Sequence, residues 1–440
     1  MIFMLYGQGE NWTKLSPSGT LPSVRWGSAS VYDSIADRFI VFGGAIWGQA
    51  YNNLYTLDST AVGNGVWRQL SPTGTIPTVR GFCAPVYDAP RRRLIVFGGY
   101  NMAGGCDSRV YFLDSIYTNT PRWSQPAISG SPPAVRQSAA AAYDPIQERV
   151  IVFSGWCGYQ WRNDIYVIEN LDSVPTWRRL YPTSSGPGGR WGASAVYDPS
   201  RDVLYVFGGQ NSSQTYPNTV YALDSLQAGD GRWRQLTISG TPPNGRMWQV
   251  AAYDAPRDRM LIFSGGYFQS STFNDLRSVE SISTSPTWTT INAPGTKPSV
   301  RYGMSSAHDG AGNRLILFGG NSGGASGTNY NDVYTLKLFT GVSENSNLGL
   351  HQPEFKVVPN PCHHDVTITY QNTHHNVLSF AVYDAIGKFV KTCTYRNDQP
   401  LIRVVWNGKD EQGSEVSSGI YYAVVETMKG KVFRQFVKIE

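Results

Sequence analysis

The chain repeats itself about every 55 residues. Three marker series beside the tryptophans keep the same register: an arginine, an aromatic residue or histidine followed by aspartate, and a phenylalanine. The tryptophans that set the period are Trp12, Trp67, Trp123, Trp177, Trp233 and Trp288. A period of this size, filled with short β-branched runs, predicts the blades of a β-propeller.

Each repeat predicts four strands, because runs of alternating or β-branched residues are separated by glycine and proline. In the first complete repeat the predicted strands are Arg25–Tyr32, Phe39–Gly44, Asn53–Leu57 and Val66–Leu70. The proline-rich links, such as Ser71–Val79, are expected not to pair and only to carry the chain to the next blade.

The phase of the repeats predicts how the ring closes. The chain begins on a fourth-strand tryptophan, Trp12, and the repeats end on a third strand, Tyr334–Leu338. The N-terminal strand should therefore complete the sixth blade and leave no open sheet edge. The prediction is an all-β, six-bladed propeller over residues 1–340.

The repeated Phe-Gly-Gly, the Tyr or Val before Leu, and the Trp about a dozen residues later resemble the kelch repeat. The resemblance covers residues 11–340, with small departures at Ser154-Gly155, Ser264-Gly265 and Arg277. Kelch propellers include peptide-binding domains, sugar mutarotases, lyase-like enzymes and a copper oxidase. The resemblance thus implies the fold and leaves both binding and catalysis open.

A different pattern follows the polar linker at residues 341–352. Residues 353–440 alternate as short strands, predicted at Val366–Tyr370, Leu378–Tyr383, Ile402–Trp406, Tyr421–Val425 and Val432–Val437. The motifs in this segment are Val358-Pro359-Asn360-Pro361, Val382–Lys388, Trp406–Asp410 and Ser418–Tyr421. They resemble the Ig-like domain of flagellar hook-capping proteins and of type IX secretion sorting domains. That resemblance implies a bacterial protein that is secreted or attached to the cell surface.

Several function classes are excluded by composition. The formal charge of +5 comes with arginines spread at repeat positions, not in one basic stripe, so we expect no nucleic-acid partner. Apolar runs of four residues, such as Leu94–Phe97, predict no membrane span. His308, the one histidine in residues 1–340, occupies a repeat tyrosine position and is expected to pack in the core. A copper oxidase is thereby excluded.

We expect no metal, cofactor or catalytic residue. The tail histidines in Cys362-His363-His364 and His374-His375 match no standard zinc spacing. Cys106 and Cys157 fall in equivalent loops and form either a disulfide, if the protein is exported, or two free thiols. Met1–Tyr6 is too short for a signal peptide, so either the protein is cytoplasmic or its true N-terminus is missing.

The candidate ligand-binding residues are loop positions that differ between blades, since aromatic rings beside amide and guanidinium groups are typical of recognition surfaces. They are Trp47, Tyr51, Tyr100, Asn101, Trp156, Tyr159, Trp161, Arg162, Tyr216, Tyr267, Phe268 and Tyr330. Rings beside the repeat arginines add Trp26, Phe82, Trp191, Trp248 and Tyr302. The repeat arginines are Arg25, Arg80, Arg136, Arg190, Arg246 and Arg301, and each either contacts ligand at the channel mouth or bonds backbone carbonyls.

The sequence favours a monomeric, exported or cell-surface binding protein. Its propeller would recognise a protein, a peptide or a glycan, and its C-terminal domain would serve secretion or attachment. The alternatives are a carbohydrate-active enzyme, of the mutarotase, epimerase or lyase-like kind, and an intracellular scaffold.

Overall fold

The computed structural model describes most of residues 10–338 and 355–439. The exceptions are residues 62, 103, 311, 364, 372–376, 385–388, 396–400 and 428–429. The chain divides into two compact units, residues 1–342 and 343–440. Met1–Tyr6 and the predicted linker at residues 341–352 lie outside the described residues.

The first unit consists of six antiparallel sheets of four main strands each, which we number as blades 1 to 6 in chain order. Blade 1 contains Ala29–Asp33, Arg38–Phe42, Leu54–Asp58 and Val66–Leu70. Blade 2 contains Ala84–Asp88, Arg93–Phe97, Val110–Asp114 and Arg122–Ser124. Blade 3 contains Ala140–Asp144, Arg149–Phe153, Ile165–Glu169 and Thr176–Leu180. Blade 4 contains Ser194–Asp198, Val203–Phe207, Val220–Asp224 and Arg232–Gln235. Blade 5 contains Val250–Asp254, Arg259–Phe263, Leu276–Glu280 and Thr287–Ile291. Blade 6 contains Ser305–Asp309, Arg314–Phe318, Val333–Lys337 and Asn11–Leu15.

The sixth blade takes its outermost strand from the beginning of the chain. Asn11–Leu15 pairs antiparallel with Val333–Lys337, and Trp12 lies opposite Leu336. The first strands of all six blades contact one another in order around the ring, from blade 1 to blade 6 and back to blade 1. The first strand of blade 6 also donates a hydrogen bond from Ser305 Oγ to Ser28 O in blade 1, at 3.2 Å.

Neighbouring blades pack through the repeat tryptophan and phenylalanine. In every case the ring on the fourth strand of one blade contacts the phenylalanine on the second strand of the preceding blade. The six ring pairs are Trp67–Phe318, Trp123–Phe42, Trp177–Phe97, Trp233–Phe153, Trp288–Phe207 and Trp12–Phe263, with centroids 4.5–5.7 Å apart. Their contact at the blade junctions therefore explains two of the four repeated residues, the tryptophan and the phenylalanine.

Two expectations about the repeats were wrong. The first strand of blade 1 begins at Ala29 and not at Arg25, so the repeat arginine lies in the link before the strand. The links also pair: Thr73–Gly74 runs parallel to the outermost strand of blade 2. Pairing is feasible because the donors Thr73 N and Thr75 N lie between the prolines, and they reach Pro121 O and Trp123 O.

The second unit is a β-sandwich with seven strands in its described part, as expected of an Ig-like domain. Its three-stranded sheet contains Phe355–Val358, Val366–Gln371 and Leu401–Trp406; its four-stranded sheet contains Phe389–Thr392, Val377–Asp384, Gly419–Thr427 and Gly430–Lys438. Buried residues of both sheets, including Ile368, Phe380 and Trp406, form one core.

Loss of the N-terminal strand should destabilise the propeller. We expect Trp12→Ala to lower the free energy of unfolding by about 3–5 kcal/mol, because Trp12 is buried against Phe263. Lys14→Ala is the control, since this exposed residue on the same strand should change stability by less than about 0.5 kcal/mol. Equal urea midpoints for the two variants would contradict closure by this strand.

Candidate functional site

Each repeat arginine is buried and lies four residues before the first strand of its blade. Arg136 shows the common arrangement: its guanidinium donates to Ser154 O at 2.9 Å and to Asp164 at 2.5 Å. Arg246 repeats these bonds with Ser264 O and Asp275. The arginine therefore ties the link between blades to the loop that follows the second strand.

The acidic partner of this arginine is present in four blades. The ion pairs are Arg80–Asp107, Arg136–Asp164, Arg246–Asp275 and Arg301–Asp332. Burial by itself would raise the pKa of Asp275, but hydrogen bonds and charge from Arg246 outweigh that effect and hold the pKa below its usual value. In blade 1, Arg25 instead donates to Asn53 at 2.8 Å and stacks on Tyr51.

Arg190 of blade 4 has no acidic partner among the described residues. Within the part of the chain that the structure describes, its side chain is bonded only to Gly189 O, at 3.3 Å. Thr219 immediately precedes the third strand of blade 4, at the position where Asp164 stands in blade 3. Burial lowers the pKa of Arg190, and Tyr221 partly opposes this effect.

The inclusion of the arginines among the candidate ligand contacts therefore needs correction. The guanidinium groups of Arg25, Arg80, Arg136, Arg246 and Arg301 are buried and bonded within their own blades. Their charge and donors are used by the fold, because they precede the first strand and face the carbonyl groups of the next loop. Arg190 is buried as well, and among the six repeat arginines it alone has neither an acidic nor an amide partner within the described part of its blade.

The rings beside the repeat arginines form a buried cluster at one end of the ring axis. Trp26 lies 4.7 Å from Phe82 and 5.2 Å from both Trp248 and Tyr302. Below the cluster lies an axial cavity of about 170 Å³, lined by all six first strands or the residues just before them and including Phe82 and Trp248. Trp26, Phe82 and Tyr302 pack loops together and do not form the recognition surface that the sequence suggested.

An aromatic surface remains accessible where the loop of blade 3, residues 155–163, meets blade 4. Trp156 stacks on Trp191 at 4.7 Å and contacts Tyr159 and Trp161 at 6.1 and 6.3 Å. Tyr159, at the tip of this hairpin, is 85% exposed. A disulfide between Cys106 and Cys157 joins the hairpin to the corresponding loop of blade 2.

Arg190 lies alongside the same loop. Its backbone N–H donates to Ser154 Oγ at 2.6 Å and also to Arg162 O at 3.3 Å. A Cβ at Gly189 would lie 2.5 Å from Trp161 O, so glycine is needed for this close approach. We call Trp156, Tyr159, Trp161 and Arg162, together with the buried Arg190 whose backbone contacts this loop, the blade 3–4 surface.

Some of the other predicted residues adjoin this surface. Phe268 contacts Trp191 at 5.0 Å and Trp47 at 6.2 Å, and its backbone N–H donates to the hydroxyl of Tyr216. Tyr216 in turn packs on Tyr267 at 4.7 Å. These loop aromatics of blades 1, 4 and 5 therefore continue the row of rings away from the blade 3–4 surface.

Four predicted residues serve other contacts. Tyr51 and Tyr330 stack on the guanidinium groups of Arg25 and Arg301, at 4.5 and 3.6 Å, so they belong to the buried arginine layer. Tyr100 forms a short hairpin with Cys106 and packs beside the buried cluster. Asn101, which pairs with Gly105 in that hairpin, lies next to it.

A second arginine series was missed in the sequence, although it shares the period. Arg38, Arg93, Arg149, Arg259 and Arg314 begin the second strands, and blade 4 has Val203 instead. Arg314 shows what they do: it pairs with Asp309 at 2.9 Å and donates to Thr60 O of the next blade at 2.6 Å. The repeated aspartate also accepts turn N–H groups, as expected, for example from Ile35 to Asp33.

The interpretation of His308 as a core residue was wrong. Its imidazole is exposed, whereas Tyr32 and Tyr253 at the corresponding positions are buried. Among the described residues the imidazole, which is shorter than a phenol, makes no hydrogen bond to the preceding blade, whereas Tyr253 bonds to Asp198.

The described residues contain neither a metal-binding cluster nor a membrane-spanning helix. They hold no group of three His, Cys, Asp or Glu that would bind a metal ion, and His364, His374 and His375 lie outside them. They also contain no helix long and apolar enough to span a membrane.

Comparison with known sequences assigns the family. The KLHDC2/KLHL20/DRC7 Kelch-repeats domain matches residues 1–169, 145–341 and 225–380. The chain belongs to the kelch-repeat family. The FlgD Ig-like domain matches residues 364–431, in agreement with the sandwich of the second unit.

The curated relatives match this chain over part of their own length. Adagio protein 3 of Arabidopsis thaliana is 27% identical over 327 residues, covering 71% of this chain and 50% of that protein. Rab9 effector protein with kelch motifs of Danio rerio is 33% identical over 179 residues, covering 39% of this chain and 47% of that protein. The chain thus spans about half the length of the curated relatives it matches.

A solved kelch structure supports the fold alone. The structure of YjhT aligns with a TM-score of 0.54 at 16% identity, covering 72% of this chain and 95% of that one.

Removal of the repeat arginine should have opposite consequences in blades 3 and 4. Arg136→Met leaves Asp164 without its partner, so we expect a loss of about 3–5 kcal/mol in the free energy of unfolding. Arg190→Met removes a buried charge that has no acidic partner and should be neutral or stabilising. Urea unfolding measures both changes, and equal losses would show that Arg190 is as structural as Arg136.

Proposed function

We propose that this kelch protein is a binding protein that recognises an acidic segment of a protein or peptide on its blade 3–4 surface. The carboxylate of the ligand would pair with Arg190, and an adjoining apolar group would lie on Tyr159 and Trp161. The observation that carries the proposal is the missing acidic partner of Arg190.

The chemistry of the surface supports an acidic ligand. A charge-assisted bond to a guanidinium group is stronger than a bond between neutral groups, and its geometry suits a carboxylate. The repeat itself provides the precedent, because Asp164 fills this role for Arg136. The neighbouring aromatic rings supply the type of contact area that is enriched in interface anchors.

A protein partner is favoured by the kelch relatives. The name of the Danio rerio relative describes an effector of the protein Rab9. That protein's partner is not carried over to this chain, but a propeller that binds a protein is consistent with the proposal.

We also propose that the protein is exported and that its C-terminal domain serves secretion or attachment. The disulfide between Cys106 and Cys157 supports an oxidising compartment, since such bonds are rare in reducing cytoplasm. Alkylation of protein taken from its native cells tests this proposal. Cys106 and Cys157 should resist the reagent until a reductant is added, and immediate labelling of both would contradict export.

Binding of a labelled hexaglutamate peptide to the full chain tests the recognition proposal. We expect Arg190→Gln to weaken binding roughly 10- to 100-fold, since hydrogen bonds to charged groups contribute about 1.5–3 kcal/mol. Arg179→Gln is the control, because it removes the same charge from an exposed position on the outermost strand of blade 3. Tyr159→Ala should weaken binding without lowering the melting temperature.

Three results would contradict the proposal. A hexaglutamine peptide that binds as tightly as hexaglutamate would show that the charge of the ligand is not recognised. Equal losses of affinity in Arg190→Gln and Arg179→Gln would show that only the net charge of the protein matters. Binding of oligogalacturonate but not of hexaglutamate would favour an acidic glycan, and chemical change of that glycan would favour the carbohydrate-active enzyme.

A further inference from the structure

The first strands contain one break in the tyrosine series, and it lies in blade 6. In blade 3 the hydroxyl of Tyr143 donates to Asp88 of blade 2, at 3.2 Å. In blade 5 the hydroxyl of Tyr253 donates to Asp198 of blade 4, at 2.8 Å. The corresponding residue of blade 6 is His308, so no phenol occupies this position between blades 5 and 6.

A cavity of about 430 Å³ opens beside His308. It lies at the end of the ring that carries the turns between first and second strands, opposite the end that carries the blade 3–4 surface. Blades 4, 5 and 6 all contribute to its lining: Val196, Tyr197, Pro199, residues 251–256, His308, Gly310 and Asn313. Its size falls in the range of small-molecule sites.

The carboxylates around the cavity are already paired. Asp254 accepts bonds from Arg257 and Arg259 at 2.8–2.9 Å, and Asp309 is paired with Arg314. Asp198 is likewise bonded to Arg201. An ionised ligand would therefore find no unpaired countercharge among these groups.

His308 is the group left to bind a ligand. Its imidazole is exposed and has no hydrogen-bond partner among the described residues. Partial desolvation at the cavity wall lowers its pKa, and the charges of Asp254 and Asp309 only partly oppose this effect, so the neutral form of the ring predominates at pH 7. A neutral imidazole offers one donor and one acceptor.

We propose that this cavity binds a small neutral phenol, whose ring takes the place of the missing tyrosine side chain and whose hydroxyl bonds to His308. The walls suit the ring, because they contain two tyrosine rings and the apolar side chains of Val196, Pro199 and Ala255. The repeat supports the choice of ligand, since the other blades place a phenol at this position. This site is independent of the blade 3–4 surface.

The test uses p-cresol, the free equivalent of a tyrosine side chain, and the full-length protein. The NMR signal of the His308 imidazole, assigned by its absence in His308→Gln, is followed as p-cresol is added. We expect a saturable shift, and toluene, which lacks the hydroxyl, should bind at least tenfold more weakly.

Two variants should close the cavity. His308→Tyr restores the residue of the repeat, and it should abolish p-cresol binding while raising the melting temperature. Gly310→Leu adds a side chain where a Cβ meets no atom within 4 Å, and it should weaken binding at least tenfold. Gly229→Leu, at another open glycine far from the cavity in sequence, is the control and should bind normally.

For His308→Tyr and Gly310→Leu, which alter the imidazole or its surroundings, p-cresol binding is measured by saturation transfer from the protein to the ligand. The proposal is overturned if the wild-type imidazole signal does not shift saturably, if toluene binds as well as p-cresol, or if binding survives in both filled variants. Loss of hexaglutamate binding in Arg190→Gln would leave p-cresol binding unchanged, so the two sites are tested separately.

Discussion

Every junction between blades depends on one contact, that between a tryptophan and the phenylalanine of the preceding blade. The contact is the same at all six junctions. These include Trp12 on Phe263 and Trp67 on Phe318, the two junctions of blade 6, which closes the ring. Large aromatic rings contribute the most apolar area per residue, so a ring of small sheets can be held together by one such pair at each junction. The period of the sequence follows from this contact.

The arginines add a second, polar layer on each side of that contact. One series precedes the first strands, and another begins most of the second strands. Burying so many charges is tolerable because nearly all of them are paired with a carboxylate, since an unpaired buried charge is costly. A blade that lacks a partner is therefore informative, and blade 4 lacks two members of this layer, with Thr219 in place of an aspartate and Val203 in place of an arginine.

The sequence predicted what the period determines. The number of repeats, the N-terminal strand that completes blade 6 and the Ig-like sandwich of the tail all follow from pattern and phase. What the sequence did not predict is the direction of side chains. The sequence around Arg136 is the same whether its side chain points to the channel or to Asp164. Only the structure shows the hydrogen bond to Asp164.

The same limit applies to the loops and to His308. Aromatic residues in loops suggested one recognition surface, but Trp26 and Tyr302 close the axis while Tyr159 faces solvent. The substitution of histidine for tyrosine was visible in the sequence. The cavity beside His308 could not be predicted from the sequence. The space that the substitution leaves depends on the distance from His308 to a carboxylate in the preceding blade.

We propose that binding sites in this propeller lie where the repeat lacks one of its own partners. The most direct test is Thr219→Asp, which supplies blade 4 with the carboxylate that blades 3 and 5 possess. We expect this variant to be more stable to urea than the parent chain and to lose its affinity for hexaglutamate, because Arg190 would be paired internally. A variant that is no more stable and still binds hexaglutamate as the parent does would contradict the account.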